Sequence, residues 1–145
     1  MYSDTVIRQC KKDDNFMDIS KLYLKTWQTA YKNILPKSLL DKMNLETWKP
    51  KKRWKDTIIA TKDNKIVGVC SFGKIRHSND CKFGEIYPLY IDPEQQKLGI
   101  GKRIINKAIK DLIKSNYEKI LLWVIYNNYS AINFYKKMGL SQIEK

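Results

Sequence analysis

Between Phe83 and Ile125 a strand, a glycine turn, a long amphipathic helix and a continuous apolar run follow one another. This order constrains the fold more than any other stretch of the chain. Phe83 to Ile91 reads as a strand, ended by Asp92-Pro93. From Gly99 to Ser115, Ile100, Ile104, Ile105, Ala108, Ile109, Leu112 and Ile113 recur on one helical face. Lys102, Arg103, Lys107, Lys110 and Lys114 occupy the other. Ile120 to Ile125 is apolar throughout, which suits a buried strand. A helix placed between two strands calls for an α/β domain with a central mixed sheet.

The remaining pattern fits that expectation. Thr5 to Gln9 can form a short strand. Phe16, Ile19, Leu22, Tyr23, Trp27 and Ala30 have helical spacing, predicting a helix over Asn15 to Tyr31. Pro36 starts a shorter helix, Lys37 to Met43, because proline is favoured in a first turn. A further short helix is expected from Leu45 to Trp54, interrupted near Pro50. Asp56 to Thr61 and Lys65 to Lys74 flank the turn residues Lys62-Asp63-Asn64 and read as a hairpin. Ser130 to Met138 is the last helix, stopped by Gly139. The predicted order is β-α-α-β-β-β-α-β-α, and the few residues after Gly139 allow one short strand at most.

Size and composition narrow the function. A chain of 145 residues, 43% hydrophobic and 30% charged, is expected to form a single globular domain over residues 1–145. No run of about 18 apolar residues exists, and Met1-Tyr2-Ser3-Asp4 lacks the pattern of a signal peptide, so a cytoplasmic location is expected. Cys10, Cys70 and Cys81 are scattered without paired spacing, which argues against structural zinc and a disulfide framework. The single histidine, His77, sits in a polar stretch that reads as a solvated loop, so no metal site is expected. The net charge of +13 fits nucleic-acid binding, attraction of a polyanionic small molecule, or simply a lysine-rich composition.

The turn Gln96-Lys97-Leu98-Gly99-Ile100-Gly101 offers a more specific signal. Glycines remove Cβ atoms where a ligand approaches backbone, and the first helical amides carry partial positive charge. A strand-turn-helix of this kind is an anion site. The dinucleotide fingerprint fails because position 104 is Ile, and the Walker spacing fails as well. The stretch from Leu89-Tyr90-Ile91-Asp92-Pro93 to Gly99-Ile100-Gly101-Lys102 resembles motif A of the GNAT superfamily of acetyltransferases. Leu122-Trp123-Val124, then Asn128, Ala131, Phe134-Tyr135 and Met138-Gly139-Leu140, resembles the family's motif B. The resemblance extends to the element order and covers nearly the whole chain.

The resemblance implies a GNAT fold, acetyl-CoA as co-substrate, no metal, and direct transfer of the acetyl group to a primary amine. It implies that the Leu89, Tyr90 and Ile91 backbone pairs with the pantetheine arm, with the Leu89 amide as oxyanion donor. Gln96, Lys97, Leu98, Gly99, Ile100, Gly101 and Lys102 would hold the pyrophosphate. Pro88 points the same way from the residues alone, since proline inside a strand marks a bulge or edge. Tyr135 matches the tyrosine that protonates the leaving thiolate, although packing would also explain it. Asn128 matches a polar cofactor contact and could equally cap its helix. Glu85 aligns with a general base, its basicity raised by burial among Phe83, Ile86 and Tyr87; the alternatives are orientation of the substrate ammonium or solvation. Trp27 and Tyr31, at i and i+4, could line an acceptor pocket or pack in the core.

Two rivals stand beside an N-acetyltransferase: a basic nucleic-acid-binding protein and a CoA-binding regulator without turnover. No helix-turn-helix or stacking face supports the first. The acceptor is open between a small-molecule amine and a peptide N-terminus, and no membrane partner is expected. GNAT domains usually have two more strands after motif B. A shortened C-terminal sheet edge is therefore expected, covered by a second copy in a homodimer.

Overall fold

The computed structural model describes residues 5–96 and 99–142. One five-stranded sheet runs in sequence order, β1 (Thr5–Gln9), β2 (Thr57–Lys62), β3 (Lys65–Lys74), β4 (Phe83–Ile91) and β5 (Lys119–Leu122). The first three pairings are antiparallel and β4–β5 is parallel. A parallel pair needs a crossover, and α3 (Ile100–Lys114) supplies it. The helices α1 (Phe16–Tyr31), α2 (Lys37–Leu40) and α4 (Tyr129–Lys137) complete the fold. The predicted mixed α/β architecture is thus observed.

Strand alternation divides the core in two. Ile58, Ala60, Cys70, Phe72 and Ile86 point to one face and meet Ile100, Ile104, Ile105, Ala108 and Leu112 of α3. Ile59, Val69 and Tyr90 point to the other and meet Ile19, Leu22 and Tyr23 of α1. The β2–β3 turn uses Asp63 and Asn64, both at positive φ, as a two-residue connection whose twist matches the strands.

Several sequence expectations change in detail. Residues 45–49 are not helical; a 3-10 segment covers Pro50–Asp56 instead, with Lys49 in a left-handed conformation before it. The second helix is one turn, Lys37–Leu40. Ile113 is 59% exposed and lies off the apolar face of α3. The run read as a buried strand is the half-buried edge strand β5, ending at Leu122. Among the described residues only β4 flanks it, and α4 buries no residue fully. Residues 140–142 are not in a strand, and the rest of the segment expected to form one lies outside the described residues.

The β1–α1 connection is tied by Asp14, whose carboxylate accepts from both terminal nitrogens of Arg8, at 3.0 and 2.7 Å, and from the Lys11 amide. The Arg8 guanidinium holds the Asp14 carboxyl well below its usual range, against an opposing effect of burial. A depressed folded-state pKa adds stability that is present above the unfolded value, about 3.9, and is lost as pH falls further. Asp14→Asn should therefore cost about 2 kcal/mol at pH 7. It should also flatten the decline of stability below pH ~4, as read from urea unfolding at stepped pH.

Candidate active site

β4 is paired on both sides for only part of its length. Against β5 the ladder runs from Phe83↔Lys119 to Ile86↔Leu122 and stops. Against β3 the register shifts at the same point: Phe72 pairs with Ile86 and Cys70 with Leu89, so Tyr87 and Pro88 together face Ser71. This is a β-bulge at the proline, which adds local twist. The strand leaves β5 there, and Leu89, Tyr90 and Ile91 lie beyond the end of the parallel ladder.

The turn after β4 is built from side chains as well as glycine. The Asp92 amide donates to the Val67 carbonyl at 2.8 Å, while its carboxylate caps the 3-10 turn Pro93–Gln95 and pairs with Lys25 of α1 at 3.1 Å. Gln96 Nε2 donates back to the Ile91 carbonyl at 3.3 Å. Gly99, at φ 78°, precedes α3 in a left-handed conformation that favours glycine. The first helical bond runs from Arg103 N to Gly99 O, 3.2 Å. Helix geometry gives the Ile100, Gly101 and Lys102 amides no intrahelical acceptor. Gly101 meets a different need: a Cβ there would lie 3.2 Å from both Leu89 Cδ2 and Phe134 Cζ. Lys97 and Leu98 lie outside the described residues. Lys102 is exposed, whereas the neighbouring Arg103 donates to the Thr5 carbonyl on β1.

Three tyrosines and an asparagine converge near the splay. Asn128 caps α4, accepting from the Ala131 amide at 3.3 Å. Burial raises the Tyr31 phenol, and a hydrogen bond with Asn128 partly offsets it. The Tyr135 phenol is pushed far above its ordinary value, by burial first and then by Cys70, Tyr31 and Tyr90. Trp27 and Tyr31 share a face of α1, their rings 4.5 Å apart and crossed at 61°. Tyr23, Trp48 and Tyr90 extend this cluster, Tyr23 and Tyr90 meeting edge-on at 4.7 Å. The end of α4 is fixed by paired bonds, Leu140 N to Tyr135 O at 3.1 Å and Gly139 N to Lys136 O at 3.0 Å, with Gly139 at φ 92°.

A strand broken by a bulge, a glycine-opened helix and a tyrosine from a following helix form one arrangement, and residues 16–140 match the profile of the acetyltransferase (GNAT) family. The chain belongs to the GNAT family. An uncharacterized N-acetyltransferase of Bacillus subtilis is 31% identical over 136 residues, which cover 90% of this chain and 76% of the relative. The PaiA N-acetyltransferase of Thermoplasma acidophilum, solved with coenzyme A, superposes with a TM-score of 0.78 at 20% identity, covering 93% of this chain and 88% of that one. An aminoglycoside N-acetyltransferase, also solved with CoA, gives 0.73 at 13% identity over 100% and 93%. By family, this GNAT protein is thus an N-acetyltransferase.

Glu85 stands apart from the tyrosine group. Its side chain is fully buried, and solvation, one of the readings open in the sequence, does not apply. Both carboxylate oxygens are occupied: Oε1 accepts from the Arg76 amide at 2.9 Å, and Oε2 from Arg76 Nε and Nη2 at 2.9 and 2.6 Å. The surroundings expected to be apolar therefore include a guanidinium. Nothing in the spacing marked Arg76, which sits on an exposed loop nine residues earlier. Trp48 and Tyr90 were equally unmarked as partners of Tyr23, because they come from an irregular segment and from β4, far from α1 in sequence.

Two of the cysteines, Cys10 and Cys70, are buried and poorly suited to act as nucleophiles. Burial pushes the Cys70 thiol up to about 12, and Cys10 likewise, so both stay protonated near neutrality. Among the described residues no group of three or more His, Cys, Asp or Glu is placed to hold a metal. Removing Arg76 would strand a buried carboxylate. Fully buried pairs lose about 3–5 kcal/mol when broken. Because the Arg76 side chain is 36% exposed, Arg76→Ala should cost about 2 kcal/mol, with Arg76→Lys recovering part of it by denaturant midpoint.

Proposed function

We propose that acetyl transfer takes place beside the β4 bulge, with Tyr135 as the proton donor to the leaving thiolate. The single observation that carries this reading is the coincidence of two breaks: the β4–β5 ladder ends at Ile86 where the β3–β4 register shifts. Past that point the Leu89–Ile91 backbone is available to the pantetheine arm, and the Leu89 amide is assigned to the thioester oxygen. The amides that open α3, with Gln96, Lys97, Leu98, Gly99 and Lys102 around them, are assigned to the pyrophosphate. Acetyl-CoA supplies an activated acetyl thioester there.

The amine attacks the carbonyl carbon, a C–N bond forms and the C–S bond breaks. Tyr135 gives its phenolic proton to the departing sulfur. Its raised pKa keeps that proton in place at neutral pH. Asn128 caps α4 and lies close enough to the Tyr31 phenol to influence it, beside the Trp27–Tyr31 wall of the acceptor site. Glu85 is engaged by Arg76 and acts as base only if that pair opens. We assign it to holding Arg76, with the amine proton leaving through water.

The reading extends to context. The domain spans the whole chain, and the acceptor is a small amine or a peptide N-terminus. Free, buried Cys10 and Cys70 suit a reducing cytoplasm. No helix among the described residues is long and apolar enough to cross a membrane. Beside the β5 edge, Trp123, Tyr126 and Tyr129 are 44%, 83% and 69% exposed; a second copy covering this edge would give a homodimer.

Acetyl-CoA should raise the melting temperature in a concentration-dependent way. Tyr135→Phe should keep that shift while lowering kcat about 100-fold in a thiol-release assay. An unchanged kcat would remove Tyr135 as the acid, and an absent thermal shift would remove the cofactor site.

A further inference from the structure

Around Tyr87, at the other end of β4 from the glycine turn, lies a cavity of about 930 Å³. Four cationic residues, Lys52, Arg53, Lys74 and Arg76, line it together with a single carboxylate, that of Asp56. The Arg53 and Arg76 guanidinia lie over the Tyr87 ring, 4.5 and 4.4 Å from its centre, and Tyr87 Oη donates to the Lys74 carbonyl at 2.7 Å. Arg76 is neutralised by buried Glu85. Among the described residues no carboxylate lies within ion-pairing distance of Lys52, Arg53 or Lys74. With Asp56 as the one carboxylate on its wall, this cavity keeps an excess of positive charge.

The cofactor phosphates do not account for that charge. Gly73 and Lys74 pair with Glu85 and Gly84, whereas the phosphate turn begins after Ile91. Gly84 and Ile91 are seven residue steps apart along the strand, roughly 23 Å at about 3.3 Å each. Leu89 is nearer: five steps, about 17 Å, from Gly84 and two steps, about 7 Å, from Tyr87, over whose ring the Arg53 guanidinium lies. A concave site with like charges on its walls focuses field onto whatever enters it. An anion entering the site would relieve repulsion among those charges.

We propose that the acceptor is an anionic amine: its amine reaches the bulge at Leu89 while a carboxylate or phosphate a few bonds away is held by Lys52, Arg53 and Lys74. This rests on acetyl transfer occurring at the bulge, as above. The geometry selects amino acids, acidic peptides or aminoalkyl phosphates over polyamines and other polycations, which the same walls repel.

The experiment measures thiol release by the full chain with acetyl-CoA and chain-length-matched acceptors. ω-Amino carboxylates and aminoalkyl phosphates are compared with the corresponding amides and diamines, and acidic with basic dipeptides. The anionic members should show kcat/KM at least about tenfold above their amides, with diamines lowest. The gap should shrink in about 0.5 M NaCl. Lys52→Glu with Arg53→Glu should abolish or invert the ranking while preserving the thermal shift with acetyl-CoA, which also reports folding. The wild-type ranking and its salt dependence stand even if that variant is unstable. Diamines turned over best, or a ranking unaltered in a folded variant, would overturn the proposal and leave acetyl transfer intact. No thiol release with any amine would instead remove the reading beneath it, and this one with it.

Discussion

The bulge at Tyr87 and Pro88 is the constraint on which the site depends. Pro88 has no amide hydrogen to give to a neighbouring strand, and the two residues opposite Ser71 add twist where the parallel ladder already ends. A continuous β4–β5 ladder would close the strands along their length and leave no backbone for a ligand. The break is tolerated because β4 is pinned elsewhere. Tyr90 is buried against Tyr23 and Val69, Ile86 sits in the α3 core, and Asp92 is tied to Val67 and Lys25.

The two glycines of the turn show how one motif can hold separate physical demands. Gly99 is needed for its positive φ and has nothing within 4 Å of a hypothetical Cβ. Gly101 is needed for space, because α3, β4 and α4 meet there through Leu89 and Phe134. The same small residue thus lets the helix start and lets three elements pack at the place where the phosphate site and the acid-bearing helix come together.

Local patterns made much of this legible before any coordinates. The amphipathic face of α3, the Asp63-Asn64 turn, the proline in β4 and the Asn128 cap are all written within a few residues, so periodicity and turn chemistry reveal them. The Glu85–Arg76 pair and the tyrosine cluster depend on register between distant segments, which spacing along the chain does not encode. β5 misled for a related reason. An apolar run signals burial, but how deeply a strand is buried depends on its place in the sheet, and this one is at the edge. Helix does not run on into Pro50 because proline disfavours right-handed helical geometry in the residue before it; Lys49 is left-handed.

Helix α4 has no fully buried residue, whereas α3 has five. Few buried contacts mean that local opening costs much less than global unfolding. The Tyr135 ring therefore rides on an element that should exchange its amide hydrogens sooner than α3 or the central strands. Its exit bonds at Gly139 and Leu140 restrain the last turn, and the Asn128 cap restrains the first. A ligand seated between β4 and β5 would add a third restraint and slow that exchange. The conformational entropy lost by α4 would then be part of the cost of binding, and cofactor affinity would reflect how well this one helix is ordered beforehand.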